Sequence, residues 1–194
     1  MKNSQKGFAL PLALLLLVVM TLMGAALVSI TAGDIRANSE KDTSQQTFYA
    51  AESGISDAKK LLASVEGGVS KMVTNPWSRL KFCKPDFFPN LRSPNTKALY
   101  DDKHGKEFIK IKNLSEVISV SGDEKTRLDN FSFEYFITYS ADFNGFVDNP
   151  KKKPGTNKTL YTIHSCGCDK SKSKCNKDKD IITALEAIVT RTVE

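Results

Sequence analysis

The sequence predicts an α+β fold: one long N-terminal helix, membrane-spanning over its first part, packed on a C-terminal antiparallel β-sheet. Three observations carry that reading. Residues 8–33 contain no charged side chain, residues 34–65 keep apolar side chains at helical spacing, and the strand-like segments all lie in the last half of the chain.

The charge-free run comes first. At ~1.5 Å rise per residue it is longer, as a helix, than the ~30 Å hydrocarbon core of a bilayer. A cleaved secretory signal has a shorter apolar core, roughly 7–15 residues, followed by a small-x-small cut site. Here the run is too long for that, and no polar turn region follows it. Lys2 and Lys6 precede the run and Asp34 is the first charge after it, so the positive-inside bias puts Met1 in the cytoplasm and the chain after Gly33 outside. Pro11 falls in the first turn, where a missing amide donor costs little. Gly24 and Gly33 are soft points. Their separation is not a small-xxx-small motif, so the sequence assigns no pairing face to them.

Beyond the anchor the helix is expected to continue. Phe48, Ala51, Ile55, Ala58, Leu62 and Val65 recur at spacings of three and four and form one apolar stripe, which needs a sheet or another helix to cover it. The stretch from Asn38 to Gln46 is polar on all sides and suits a solvated link. Gly67-Gly68 then ends the helix.

The remainder is long enough for one domain with its own core. Residues 108–112, 117–121, 131–139 and 160–164 read as strands, the first two by alternation of apolar and polar side chains. Residues 181–193 are β-branched and finish as a further strand, with Thr183 to Ala187 ambiguous. Residues 69–106, which hold Pro76, Pro85, Pro89 and Pro94, read as an irregular connection.

Four cysteines follow the membrane segment, Cys83, Cys166, Cys168 and Cys175, an even count that reads as two disulfides in an exported domain. A Cys166–Cys168 bridge would close a strained ring across one residue. Cys83 is therefore bonded to Cys166 or to Cys168, and Cys175 takes the other. His164 with Cys166, Cys168 and Cys175 supplies four soft ligands, but an oxidising compartment and the lack of Cys-x-x-Cys spacing argue against zinc. Asp142 to Asp148 places oxygen side chains around Gly145, yet lacks the terminal acid of a calcium loop and reads as a hairpin turn. His104 reads as a loop residue and His164 as a strand residue. No phosphate loop, nucleophile elbow or histidine-metal helix motif is present, so the expectation is a non-enzymatic protein with no cofactor and no metal.

Charge is concentrated. Between Pro150 and Asp180 stand nine Lys and three Asp, the whole of the net +6. Lys151, Lys152, Lys153, Lys170, Lys172, Lys174, Lys177 and Lys179 form a candidate patch for an anionic partner, set against the plainer reading of a solvated loop held by disulfides. The segment has no Arg and one aromatic residue, Tyr161, so any nucleic-acid binding there is nonspecific.

The leader Met1 to Gly7 and the run that Phe8 opens resemble a type IV prepilin, in which a basic leader ends in Gly before Phe. The resemblance implies cleavage between Gly7 and Phe8 by a prepilin peptidase and N-methylation of Phe8. Asp34-Ile35-Arg36-Ala37-Asn38 and Thr47-Phe48-Tyr49-Ala50-Ala51-Glu52-Ser53-Gly54-Ile55, with its aromatic-x-Ala-Ala-Glu block, resemble the PilX N-terminal region, and the match covers about residues 1–62. Most pilins carry Glu at the fifth mature position, where this chain has Leu12; PilX-like minor pilins and the tip pseudopilin of type II secretion commonly lack that Glu. A carboxylate in lipid is costly without a partner, and a subunit without it suits the tip better than the shaft.

The resemblance thus implies a leader at 1–7, a transmembrane helix at 8–33, its periplasmic continuation at 34–66 and a globular pilin head at 67–194. It implies a minor pilin in the bacterial inner membrane, N-terminus in the cytoplasm, head in the periplasm, that primes assembly and caps the tip of a pilus at the cell surface. The implied partners are the peptidase, other minor pilins, the major pilin and a tip adhesin. The alternatives are a minor pseudopilin of a type II secretion system, and an adhesion or DNA-capture module that uses the lysine-rich loop.

Overall fold

The structure is a computed structural model that describes residues 9–65, 71–74, 79–89, 91, 97–101, 106–107, 109–140, 151–153, 155–170, 175 and 180–192. It divides into two compact units, residues 1–42 and 43–194.

Helix α1, Ala9–Ala63, is 55 residues long, about 80 Å at the α-helical rise. Within the first unit every residue from Leu10 to Asp42 is exposed, and this part is long and apolar enough to cross a membrane. Its hydroxyls suit that solvent. Thr21 Oγ1 donates to the Val18 carbonyl at 2.8 Å, Ser29 Oγ to Ala25 at 3.1 Å and Thr31 Oγ1 to Leu27 at 2.8 Å, so none needs a water partner.

In the second unit the rest of α1 buries one face. Thr47, Ala50, Ala51, Ala58 and Leu62 are buried, as are Gly54 and, just past the helix end, Val65. The expected stripe holds at Ala51, Ala58, Leu62 and Val65, with Ile55 packed on the core, and fails at Phe48, which is 44% exposed and packs edge-on to Tyr49. Small side chains hold the buried positions because the sheet comes very close.

The strands are β1 (Lys71–Thr74), β2 (Lys97–Asp101), β3 (Lys106–Glu107), β4 (Ile109–Asn113), β5 (Phe131–Tyr139), β6 (Lys151–Lys152), β7 (Lys158–Asp169) and β8 (Ile182–Thr192). The main sheet is antiparallel, with β4 beside β5, β5 beside β7 and β8 on the other edge of β7. The short β6 pairs with Thr159 and Leu160, just past the last β5 partner, Tyr161. A separate small antiparallel sheet has the order β1-β2-β3.

Every residue of β5 is buried. That follows from cover on both faces of the sheet. Phe133, Tyr135, Ile137, Tyr161 and Ile163 share one core cluster with Ala50, Ala58, Leu62 and Val65 of the α1 side. Phe136, Cys166 and Cys168 share a second cluster with Leu80, Phe82, Cys83, Phe88, Leu91 and Ala98 on the opposite face. A strand covered twice carries a continuous run of large side chains rather than an alternating one.

On the α1 side the fit is at backbone distance. A Cβ added to Gly167 of β7 would lie 1.9 Å from the Thr47 carbonyl oxygen and 2.7 Å from the Ala51 nitrogen. One added to Gly54 would meet Ser165 Oγ at 2.2 Å. Ser165 Oγ in turn donates to the Ala51 carbonyl at 2.8 Å, and the Thr47 and Thr183 hydroxyls lie 2.9 Å apart.

Two expectations are corrected. Residues 117–121 are not a strand. Leu114–Glu116 is a 3-10 turn closed by a capping box between Asn113 and Glu116, and the amides of Val117 and Ile118 both reach back to the Leu114 carbonyl. Val117 and Val120 pack on the core from this turn, which produces apolar spacing without a pleat. Helix α2, Asp123–Asp129, follows Gly122, whose φ of 67° is the left-handed value that favours glycine. Nor are residues 69–106 wholly irregular: they hold β1, β2 and a 3-10 turn at Pro85–Phe87 that starts on its proline. The proline count concealed two short strands. Gly67, Gly68, Pro76, Pro94 and His104 lie outside the described residues.

The approach at Gly167 gives a ranked prediction. Gly167→Ala drives a methyl into helix backbone and is expected to destabilise the protein by about 1–3 kcal/mol. Gly54→Ala meets mainly the rotatable Ser165 hydroxyl and costs less, while Gly24→Ala, with open space around it, costs nothing. Urea midpoints of the full chain in non-ionic detergent check the order.

Candidate functional site

In the second unit α1 is fastened to the sheet along one face. Asp57 stands on α1 beside β4 and β5. Its Oδ1 accepts from Lys112 Nζ at 2.8 Å and its Oδ2 from Tyr135 Oη at 2.9 Å. Burial works against the charge on Asp57, but the bonds from Lys112 and Tyr135 outweigh it and hold the carboxyl below its ordinary value. For Tyr135, burial first and the Asp57 charge second push the phenol well up, so it stays protonated and donates.

The opposite face is closed by a second set of groups. Glu134 is buried in the middle of β5, and its carboxylate gathers successive backbone amides: Lys81 N at 2.8 and 3.1 Å, Phe82 N at 2.8 Å and Cys83 N at 2.8 Å. This is an anion nest in reverse, with a side chain of the sheet holding a loop by its backbone donors. Directly opposite Glu134 in the register stands Cys166, and Cys166 is disulfide-bonded to Cys83. One loop is thus fixed to two adjacent strands, by hydrogen bonds to β5 and by a covalent bond to β7. Cys168 pairs with Cys175. Of the two pairings left open by the sequence, the structure has Cys83 with Cys166.

His164 is the third member. It is buried, stacked on Phe136 at 4.7 Å between ring centroids and edge-on to Phe88 at 4.9 Å. Its Nε2 lies 3.1 Å from Thr138 Oγ1. Glu186 Oε1 lies 3.1 Å from Nδ1, but not in hydrogen-bonding geometry, so that nitrogen has no hydrogen-bond partner. Burial pushes the imidazole pKa down and exceeds the opposing pull of Glu186. The expectation of a simple strand histidine is thereby enlarged: the ring is the stacking surface on which Phe88 closes.

The candidate residues singled out in the sequence are dispersed. Gly7 and Phe8 lie outside the described residues, as do Lys172, Lys174, Lys177, Lys179 and the Asp142–Asp148 segment. Lys151 and Lys152 form β6 and Lys153 is exposed beyond it. Lys170 is built into the fold: its Nζ donates to Asn113 Oδ1 at 2.7 Å and its backbone N to the Asn130 carbonyl at 2.7 Å. It is a structural lysine rather than part of a free patch. Cys166, Cys168 and Cys175 are in disulfides and hence not thiolate ligands, and the described residues contain no group of three or more acid, His or Cys side chains placed to hold a metal.

Sequence reasoning missed Glu134, Asp57 and the glycines at 54 and 167. Glu134 had a signal, an acid amid the aromatics of Phe131 to Tyr139. Also unnoticed, Ala25, Ser29 and Gly33 stand at four-residue intervals and so on one side of α1. Comparison of the chain with protein-family models, with curated proteins and with solved structures found no match.

Two titrations of groups packed against the sheet contribute to the pH dependence. The folded pKa of His164 is below its ordinary 6.5, so the unfolded chain binds the extra proton and stability falls as pH drops below ~6.5 towards the folded value. The folded pKa of Asp57 is below 3.8, so its contribution is present above that value and is lost as pH falls through the folded one. Urea midpoints from pH 8 to pH 2 should show two declines, the first removed by His164→Gln and the second by Asp57→Asn. Glu134→Gln, which sets an amide donor against backbone donors, should lower stability by ~1–3 kcal/mol at neutral pH.

Proposed function

We propose that this chain is a non-enzymatic, pilin-like subunit: a PilX-like minor pilin that primes assembly and occupies the tip of a type IV pilus. The observation that carries the reading is α1 itself. Its part in the first unit is long and apolar enough to cross a membrane, and its part in the second unit packs on an antiparallel sheet. Of the PilX-like block, Ala51 lies with Thr47 where the sheet comes closest and its carbonyl accepts from Ser165 Oγ, Ala50 is fully buried, and Glu52 beside them is exposed.

On this reading residues 8–33 anchor the subunit in the inner membrane before assembly and lie in the pilus core afterwards, with Met1 to Gly7 removed on the cytoplasmic side and Phe8 methylated. Leu12 in place of a carboxylate leaves no partner for the terminal amine of a neighbouring subunit, which favours the tip over the shaft. The head contacts other minor pilins or a tip adhesin. A pseudopilin of a secretion system shares every one of these features. The capture module is weaker, since Lys170 is committed to Asn113.

The test is the intact mass of the protein recovered from membranes after co-expression with its prepilin peptidase. The expected chain begins at Phe8 and carries one added methyl group. An uncut chain beginning at Met1, beside a control prepilin that is cut, overturns the reading and leaves a signal-anchored envelope protein.

A further inference from the structure

Beside the end of α1, the last strand brings two cations to one cavity. The cavity has a volume of about 370 Å³ and is lined by Lys59, Leu62 and Ala63 of α1 and by Val189, Thr190 and Arg191 of β8. Its size is in the range of small-molecule sites, roughly 300–1,000 Å³. No acid stands on its wall among the described residues. Among the described residues neither Lys59 nor Arg191 is in an ion pair, and Arg191 Nη1 is buried with no hydrogen-bond partner. Arg191 faces Thr159 across the strand pair, and its charge is felt by the nearby Tyr161 phenol.

A lysine in the last turns of a helix complements the helix dipole, which accounts for Lys59. It does not account for Arg191, which is on a strand. A guanidinium is a rigid fork of five donors, and burying part of it without an acceptor is unfavourable unless something else supplies one. Two like charges around one cavity also repel each other, and an anion between them relieves that repulsion.

We propose that this cavity binds a carboxylate carried on a short apolar stem. The Arg191 guanidinium and the Lys59 ammonium supply the positive charge that holds the carboxylate, and Leu62, Ala63 and Val189 receive the stem. The donor set also selects against phosphate. Among the described residues three of the six that line it are aliphatic, so a phosphate would give up hydration on its remaining oxygens with little in return. The site does not depend on the assembly reading. It would serve an acidic side chain of a neighbouring protein or a free organic acid alike, because the chemistry recognised is the same.

The experiment uses the full chain in non-ionic detergent micelles, with the arginine side-chain N–H resonances followed by NMR while sodium butyrate is added. The expected result is a saturable shift of the Arg191 signal that sodium chloride at equal ionic strength does not produce. Lys59→Gln, an exposed position, should weaken butyrate about tenfold with the unfolding midpoint unchanged. Arg191→Gln should abolish binding. A blocked glutamate, N-acetylglutamate amide, should compete with butyrate if side-chain carboxylates are the source; butyrate binding without such competition assigns the site to free organic acids. Equal shifts with butyrate and chloride, or tighter binding of inorganic phosphate than of butyrate, overturn the proposal. So does a Glu194→Gln chain that binds butyrate much more tightly, since that would make the chain's own carboxylate the occupant.

Discussion

At Gly167 the backbone of β7 lies directly on the backbone of α1, with no side chain between them. A single added carbon at that glycine would overlap the Thr47 carbonyl, so the distance between helix and strand is set by main-chain atoms. The rest of this face follows. Ala50, Ala51, Gly54 and Ala58 are small because the sheet leaves no room, and Ser165 and Thr183 turn their hydroxyls towards the helix because at this distance a hydroxyl reaches a backbone carbonyl or another hydroxyl. Larger side chains return only where helix and sheet diverge enough to admit them, at Leu62 and Val65. Asp57 then fixes the rotation of the helix about its axis, since its two oxygens answer to two different strands.

Over residues 43–63 a helix held this way is part of the second unit's core. Alanine and glycine bury little apolar surface, so hydrophobic area alone would hold α1 weakly. Close packing and the polar tethers supply what area does not. The opposite face is held by different means. There the Cys83–Cys166 disulfide, the Glu134 carboxylate and the Phe88 ring against His164 fasten a loop with little regular structure. Such a loop has few backbone bonds of its own, and a buried carboxylate that accepts its amides replaces the sheet partners that it lacks.

Much of this was legible in the residues, and what was not had a physical cause. Phe131 to Tyr139 reads as a strand and is one, because a central strand tolerates large side chains on both sides. The apolar run of α1 is plain from its lack of charge. Val117 to Ser121 alternates like a strand, but Asn113 and Glu116 close a turn in front of it, and a capping box so short is outweighed by periodicity in a sequence reading. Phe48 misled for a related reason: an apolar side chain at helical spacing reads as core, whereas the buried line is defined here by smallness, and a glycine carries no hydropathy signal. Cysteine pairing had narrowed to two choices, and the register of Glu134 opposite Cys166, invisible without the fold, goes with the one adopted.

Within residues 43–194, helix and sheet are joined along a backbone seam and should behave as one unit. Native-state hydrogen exchange of the full chain in detergent tests this most directly, by comparing amides of Ala50 to Ala58 with those of β5 and β7. If the seam binds them into one cooperative unit, the two sets exchange with the same free energy of opening and respond together to low concentrations of urea. Helix amides that exchange by local opening while the strands stay protected would contradict it, and would make α1 a separable stalk.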